Sequence, residues 1–212
     1  MILGTYPPRS AEWHEARRWR VGGSDVAIIL GHSPYKTSTE LLREKLNGDV
    51  LESSERMHLG TDLEDGIATH AARKYGWTYD DAASIATYVH DEHGWALANP
   101  DRVTVKGELV EIKTTTNRSL DPIEPWEMGG WGNGNTANIP LAYAYQTAWT
   151  CGVLGLDRWS LVVLSGGHNG RPELNVVRYR GKADPAIFAR LITYCGRWHA
   201  RLIETRDRTT TA

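Results

Sequence analysis

The residues best suited to chemistry fall in one short window. Asn99-Pro100-Asp101 is followed, after nine intervening residues, by Glu111-Ile112-Lys113. On a strand, alternate side chains share a face. Glu111 and Lys113 therefore point together, and Ile112 points the other way into apolar packing. A turn near Lys106-Gly107 makes the segment a hairpin and brings Asp101 close to Glu111. Neighbouring carboxylates repel unless something positive lies between them, and a set of oxygen ligands suits Mg²⁺ or Mn²⁺. A lysine beside them can hold an attacking water and help deprotonate it, as phosphodiester hydrolysis needs. The same spacing also describes a surface hairpin with a Glu–Lys cross-pair, so the window needs companions.

Three further pieces supply them. Gly60-Thr61-Asp62-Leu63-Glu64 lies in a long helical stretch, where Glu64 borders the apolar stripe and can reach a sheet edge. Tyr143-Ala144-Tyr145-Gln146 falls in a later helix, and Gln146 can both donate to and accept from a water or phosphate. Trp13-His14-Glu15-Ala16-Arg17 precedes Val21-Gly22-Gly23-Ser24. Backbone N–H groups of a glycine turn at a helix start bind phosphate, Arg17 adds a bidentate donor, and Ser24 adds a hydroxyl. Taken singly, each piece also reads as a solvated helix face or a capped turn.

The elements that must position these groups follow from periodicity. Ser10 caps a short helix over 11–18. A glycine turn leads into a second over 26–30, ended by Gly31. Thr37 or Ser38 caps a third running to about Asn47. Leu59, Leu63, Ile67, Ala71 and Tyr75 recur at helical spacing, predicting a helix over 57–76. Strand-like runs follow at 84–90, 95–99, 103–105 and 108–114. Residues 117–138 are rich in Gly, Asn and Pro and read as an irregular loop. A helix over 140–154, a strand pair over 158–164 and 174–179, and a helix over 185–203 complete the chain. The order predicts one α/β domain over 1–212 with a mixed central sheet flanked by helices and a polar tail at 205–212.

Composition sets the boundaries. The 212 residues are 41% hydrophobic with nine Trp, which excludes a disordered chain. The formal charge is -2, but it is unevenly placed. Residues 1–20 carry a net of +2, residues 178–212 a net of +5, and the middle a net of -9. A uniformly basic DNA-coating protein is excluded, and a local basic track is not. No apolar run approaches 18 residues, so no membrane span is expected, and the first residues lack the pattern of a signal peptide. Cys151 and Cys195 lie 44 residues apart, which predicts two buried thiols and argues against a zinc ribbon or an iron–sulfur cluster.

Together the pieces resemble the YqaJ-like viral recombinases, phage-type alkaline exonucleases related to lambda exonuclease. Residues 20–37, Arg-Val-Gly-Gly-Ser-Asp-Val-Ala-Ile-Ile-Leu-Gly-His-Ser-Pro-Tyr-Lys-Thr, look like the family's opening motif. Gly60 to Glu64, Asn99-Pro100-Asp101, Glu111-Ile112-Lys113, Trp131, Ile139-Pro140, Tyr143 and Gln146 follow in the family's order, over roughly 12–165. The resemblance implies a restriction-endonuclease-like core of the PD-(D/E)XK type. It implies 5′→3′ digestion of double-stranded DNA from an end, leaving a 3′ overhang for a single-strand annealing protein. By position, it makes Asp101 and Glu111 metal ligands, with the Ile112 carbonyl a further one and Glu64 near the metals. Lys113 matches the catalytic lysine and Gln146 the glutamine on the nucleophile side. Arg17 and Ser24 match the pair that grips the 5′-phosphate, and Trp13 an aromatic near the DNA end. Two Mg²⁺ (or Mn²⁺) ions, a homotrimeric ring around DNA and a phage- or prophage-encoded role in a bacterial cytoplasm are implied too. The chain departs in carrying Ala148 where many relatives carry a second glutamine, and it lacks the four cysteines of cluster-bearing relatives.

Rival readings are a structure-selective or sequence-specific endonuclease on the same core, and a non-catalytic DNA-end-binding module. The full Asp101, Glu111 and Lys113 set argues against the module. A nucleotide site on Gly132-Asn133-Gly134 lacks a third glycine and a clear preceding strand.

Overall fold

The central sheet grows outward from the hairpin that carries the candidate chemistry. The structure, a computed structural model, describes residues 1–33, 35–49, 54–115, 131–168 and 171–210. Strands β4 (Arg102–Val103) and β5 (Glu108–Thr115) pair antiparallel, with Arg102 opposite Val110 and Val103 opposite Leu109. The turn between them needs a left-handed residue, and Gly107 supplies it at φ +72°. Helix α6 (Leu141–Leu154) is the crossover from β5 to β6 (Arg158–His168), which runs parallel to it, with Glu111 opposite Leu161 and Lys113 opposite Val163. Strand β7 (Arg171–Lys182) closes the sheet antiparallel to β6. The order β4-β5-β6-β7 is the mixed central sheet expected from the sequence.

Each face of this sheet is covered. Helix α4 (Glu55–Tyr75) packs Ile67, Ala68 and Ala71 onto Val110, Ile112 and Val162. The opposite face buries Leu109, Leu161, Val163 and Tyr179 with Cys151 of α6. The alternation along β5 thus sends Ile112 to α4 and leaves Glu111 and Lys113 on the α6 side. Leu59 and Leu63, expected in the buried stripe of α4, are exposed, because its contact with the sheet centres further along, at Ile67 and Ala71.

A second sheet meets the first through α6, which packs against both. Strands β1 (Ile2–Thr5), β2 (Ala86–Val89) and β3 (Leu97–Ala98) form a three-stranded antiparallel sheet. Neither β1 nor a separate second sheet was anticipated from the sequence. The strand expected over 84–90 begins only at Ala86, because Asp80 caps a short helix α5 (Asp81–Ile85) in front of it. The strand expected over 95–99 shortens to β3, since Val21 bridges to Ala96 beside it.

Helices α1 (Ala11–Arg18), α2 (Gly23–Ile29), α3 (Ser38–Asn47) and α7 (Pro185–Thr210) complete the fold. Ser10 caps α1 and Thr37 caps α3. Helix α2 packs on α6 and α7 around Val26, Trp149, Leu191 and Cys195, and the Trp149 indole donates to the Leu97 carbonyl at 2.9 Å. Both thiols are buried and unpaired. Helix α7 runs on to Thr210, so residues 205–210, expected as part of a polar tail, are helical. Of the irregular 117–138 stretch, 117–130 lie outside the described residues. The rest is fastened to β7 by backbone bonds from Asn135 to Arg178 and from Arg180 to Thr136. Trp131 is buried against Tyr143 and Tyr179 and is not a surface contact.

Candidate active site

The hairpin brings three charged groups together. Asp101 lies at the β4 end, and its Oδ2 accepts the Ile112 backbone N–H at 2.7 Å. Lys113 Nζ stands 3.2 Å from Glu111 Oε2 and 3.7 Å from Asp101 Oδ2. From α6, the Gln146 side-chain amide donates to the same Glu111 oxygen at 2.8 Å. Four sequence-selected residues from three elements thus meet at one place.

Glu111 is the unusual member. It is fully buried, and its Oε1 has no hydrogen-bond partner. A buried carboxylate oxygen without a partner is costly to an ionised group. Burial first, and the charge of Asp101 second, push the Glu111 carboxyl up to about 8. Burial alone would lower the Lys113 ammonium, but the charges of Asp101 and Glu111 override it and hold it above its usual range. Lys113 is therefore a firm cation beside two carboxylates.

Glu64 of α4 comes up to this group from the side. Burial and the charge of Asp101 raise its carboxyl. Its Oε1 accepts from Arg102 at 2.8 Å, and the same guanidinium binds Asp65 and the Asp101 carbonyl. Arg102 was not singled out from the sequence; a base directly after Asp101 was the available signal. Ile112 contributes its backbone here, while its side chain packs under α4.

The donor set fits a hard divalent cation: the Asp101, Glu111 and Glu64 carboxylates with the Ile112 carbonyl are all oxygen, and one Glu111 oxygen is buried without a partner. Among the described residues, no group of three or more His, Cys, Asp or Glu side chains is already gathered as a cation site. Glu64 faces Arg102, and Lys113 stands between the other two carboxylates.

A second cluster lies beyond Pro100. The Arg17 guanidinium lies 4.5 Å from the Trp13 ring centroid. It donates to Ser24 Oγ and to Asn99 Oδ1, each at 3.2 Å. Asn99 is held in turn by its amide donating to Thr87 Oγ1 at 2.7 Å. The expected trio Trp13, Arg17 and Ser24 is thus assembled, and Asn99 joins it. The cluster opens on a cavity of about 610 Å³ that also touches Arg18, Asp25 and Lys45. The Asp25–Lys45 ion pair beneath it, 3.0 Å apart, was not foreseen, since no short-range pattern links the two positions.

Comparison with known proteins agrees with this reading of the fold. The model of the YqaJ-like viral recombinase domain matches residues 12–157. The chain belongs to that family. The uncharacterized protein YqaJ of Bacillus subtilis is 36% identical over 163 residues, covering 74% of this chain and 47% of its own length. This chain therefore spans about half of that relative. The alkaline exonuclease LHK-Exo of Laribacter hongkongensis, solved with dAMP, superposes with a TM-score of 0.71 at 20% identity, over 95% of this chain and 97% of its own. A phage-related exonuclease from Haemophilus somnus superposes with a TM-score of 0.59 at 11% identity, over 88% and 96%. The fold is thus the restriction-endonuclease-like core of the alkaline exonucleases.

Proposed function

We propose that the chain is a metal-dependent 5′→3′ exonuclease that degrades double-stranded DNA from an end and leaves a 3′ single-stranded overhang. The observation that carries this is the buried Glu111, with one oxygen unpartnered and the other shared by Lys113 and Gln146, beside Asp101. A surface Glu–Lys cross-pair has no reason to bury a carboxylate that way.

In this reading Asp101, Glu111, Glu64 and the Ile112 carbonyl would hold Mg²⁺ or Mn²⁺, two ions in all. Such cations, when bound, make a water nucleophilic near neutral pH and stabilise the charge on a leaving oxygen. Lys113, a cation with protons to donate, would hold the attacking water and stabilise its developing negative charge through a charge-assisted hydrogen bond. Gln146 donates to Glu111 and leaves its amide oxygen free to orient the same water. Arg17 and Ser24 hold the terminal 5′-phosphate, which sets polarity, and Trp13 fixes the guanidinium plane. DNA is held through its backbone without base readout. The product suits a single-strand annealing partner, and a homotrimeric ring around DNA would make digestion processive. The setting proposed is phage-type recombination in a bacterial cytoplasm; among the described residues no helix is long and apolar enough to cross a membrane.

The test compares a linear duplex with a covalently closed plasmid in Mg²⁺. Digestion of the linear form alone is expected. Equal cleavage of the closed circle would replace the exonuclease reading with an endonuclease on the same core.

A further inference from the structure

We infer that Gly22 is a specificity-determining position: the space left by its missing side chain seats the Arg17 guanidinium, and the buried Asp25–Lys45 pair keeps that seat from moving. This rests on the 5′-phosphate role proposed for Arg17 and Ser24. It extends that role from Arg17 and Ser24 to the residues that position them.

Conformation does not explain a glycine here. Gly22 has φ −93° and ψ 166°, extended backbone open to any residue. A glycine at such an angle costs unfolded-state entropy without conformational need. The reason is steric. A Cβ at Gly22 would lie 2.6 Å from Arg17 Nη2, 3.0 Å from Cζ and 3.1 Å from Nη1, and these are its three nearest atoms. The guanidinium is thus laid against the Gly22 backbone, while the Trp13 ring lies 4.5 Å from its carbon. In that position it reaches Ser24 and Asn99 together.

The surroundings decide what moves when a methyl is added. The Gly22 N–H donates to Asp25 Oδ2 at 2.9 Å, and the Asp25 N–H returns a bond to the Gly22 carbonyl at 3.0 Å. Val21, one residue earlier, exchanges backbone bonds with Trp95 and Leu97, each at 2.8 Å. Lys45 spends its three ammonium protons on this segment: Asp25 Oδ2 at 3.0 Å, the Arg17 carbonyl at 3.0 Å and the Arg20 carbonyl at 2.8 Å. The Asp25 and Lys45 side chains are each only 9% exposed. Both the turn and the end of α1 are therefore tied to one buried charge, which cannot be abandoned cheaply. The flexible end of Arg17 is what yields. Displaced, it leaves Ser24 and no longer presents its fork to a terminal phosphate monoester.

The experiment measures kcat/KM on 5′-phosphorylated and 5′-hydroxyl linear duplexes, and the thermal midpoint, for the wild type, Gly22→Ala, Arg17→Ala and the double variant. Gly22→Ala is expected to lower the phosphate preference about tenfold or more, toward the value of Arg17→Ala. In the Arg17→Ala background it is expected to leave the preference unchanged and to raise the midpoint slightly, because the clash is gone and alanine loses less backbone entropy on folding than glycine. Should Gly22→Ala alone fail to fold, recovery of folding in the double variant supports the inference, and its absence overturns it. A discriminating wild type with Gly22→Ala equally discriminating overturns the inference and leaves the Arg17 role standing. A wild type indifferent to the 5′-phosphate removes that role, and the inference with it.

Discussion

Asn99 and Asp101 stand two residues apart but belong to clusters of opposite electrostatic design. Around Asp101, two crowded carboxylates share a single lysine, and Glu111 keeps an unpartnered buried oxygen. Around Asn99, the groups are matched: Arg17 has two hydrogen bonds, an aromatic face and a glycine floor, and burial that would raise Asp25 is outweighed by Lys45 and Arg17, which hold it below its ordinary range. The first cluster crowds more carboxyl groups than its own lysine can balance when they ionise, and burial with that crowding raises Glu111. The second is a settled scaffold whose outer guanidinium suits an anion. Pro100 joins them, so the candidate metal cluster and the proposed 5′-phosphate cluster are separated by one residue along the chain.

Substitutions should separate the two clusters. The largest effect belongs to the first. Lys113→Ala is expected to cut duplex hydrolysis by about 10²–10³-fold while the protein stays folded, as judged by its thermal midpoint. A Lys113→Ala protein digesting at the wild-type rate would remove the lysine from the mechanism.

The second expectation concerns stability in chelator. The Glu111 carboxyl sits at about 8 in the folded chain against 4.5 ordinarily, so between those values the folded state binds the extra proton. Stability should therefore fall as pH rises from about 5 to 8. Glu64, also raised, acts in the same direction. Lys113 is raised as well, but its contribution is fully present below its ordinary value and does not change in this window. Glu111→Gln should flatten the slope and raise the midpoint at pH 8. A wild type that gains stability from pH 5 to 8 relative to Glu111→Gln would contradict the burial penalty.

Effects on the second cluster should be smaller and confined to the DNA end. Arg17→Ala loses charge-assisted bonds worth about 1.5–3 kcal/mol, so the preference for a 5′-phosphate should drop by roughly 10–100-fold. Trp13→Ala removes a cation–π contact of about 0.5–1 kcal/mol, and the same preference should drop only about two- to fivefold. A larger loss for Trp13 than for Arg17 would reverse the roles assigned to them.

Local patterns exposed most of both clusters in the sequence. The period-two spacing of Glu111 and Lys113, the turn at Gly107 and the proline before Asp101 already describe the hairpin, and Arg17 and Ser24 flank a glycine turn at a helix start. What escaped is non-local. Lys45 reaches Asp25 from another helix, and Asn99 joins Arg17 from 82 positions away. Strand β1 is four residues at a sheet edge with little alternation, so its pairing with β2 leaves no signature. Leu59 and Leu63 continue the helical stripe past the place where α4 meets the sheet, so periodicity overstated the buried face.

The central claim is end-dependent, metal-dependent digestion with 5′→3′ polarity. It is tested most directly by one digest of linear duplex carrying distinguishable 5′ and 3′ labels, with and without Mg²⁺. Early release of the 5′ label, retention of the 3′ label in a shrinking fragment, and no reaction without Mg²⁺ are expected. Early release of the 3′ label, internal cuts, or equal digestion in chelator would contradict it.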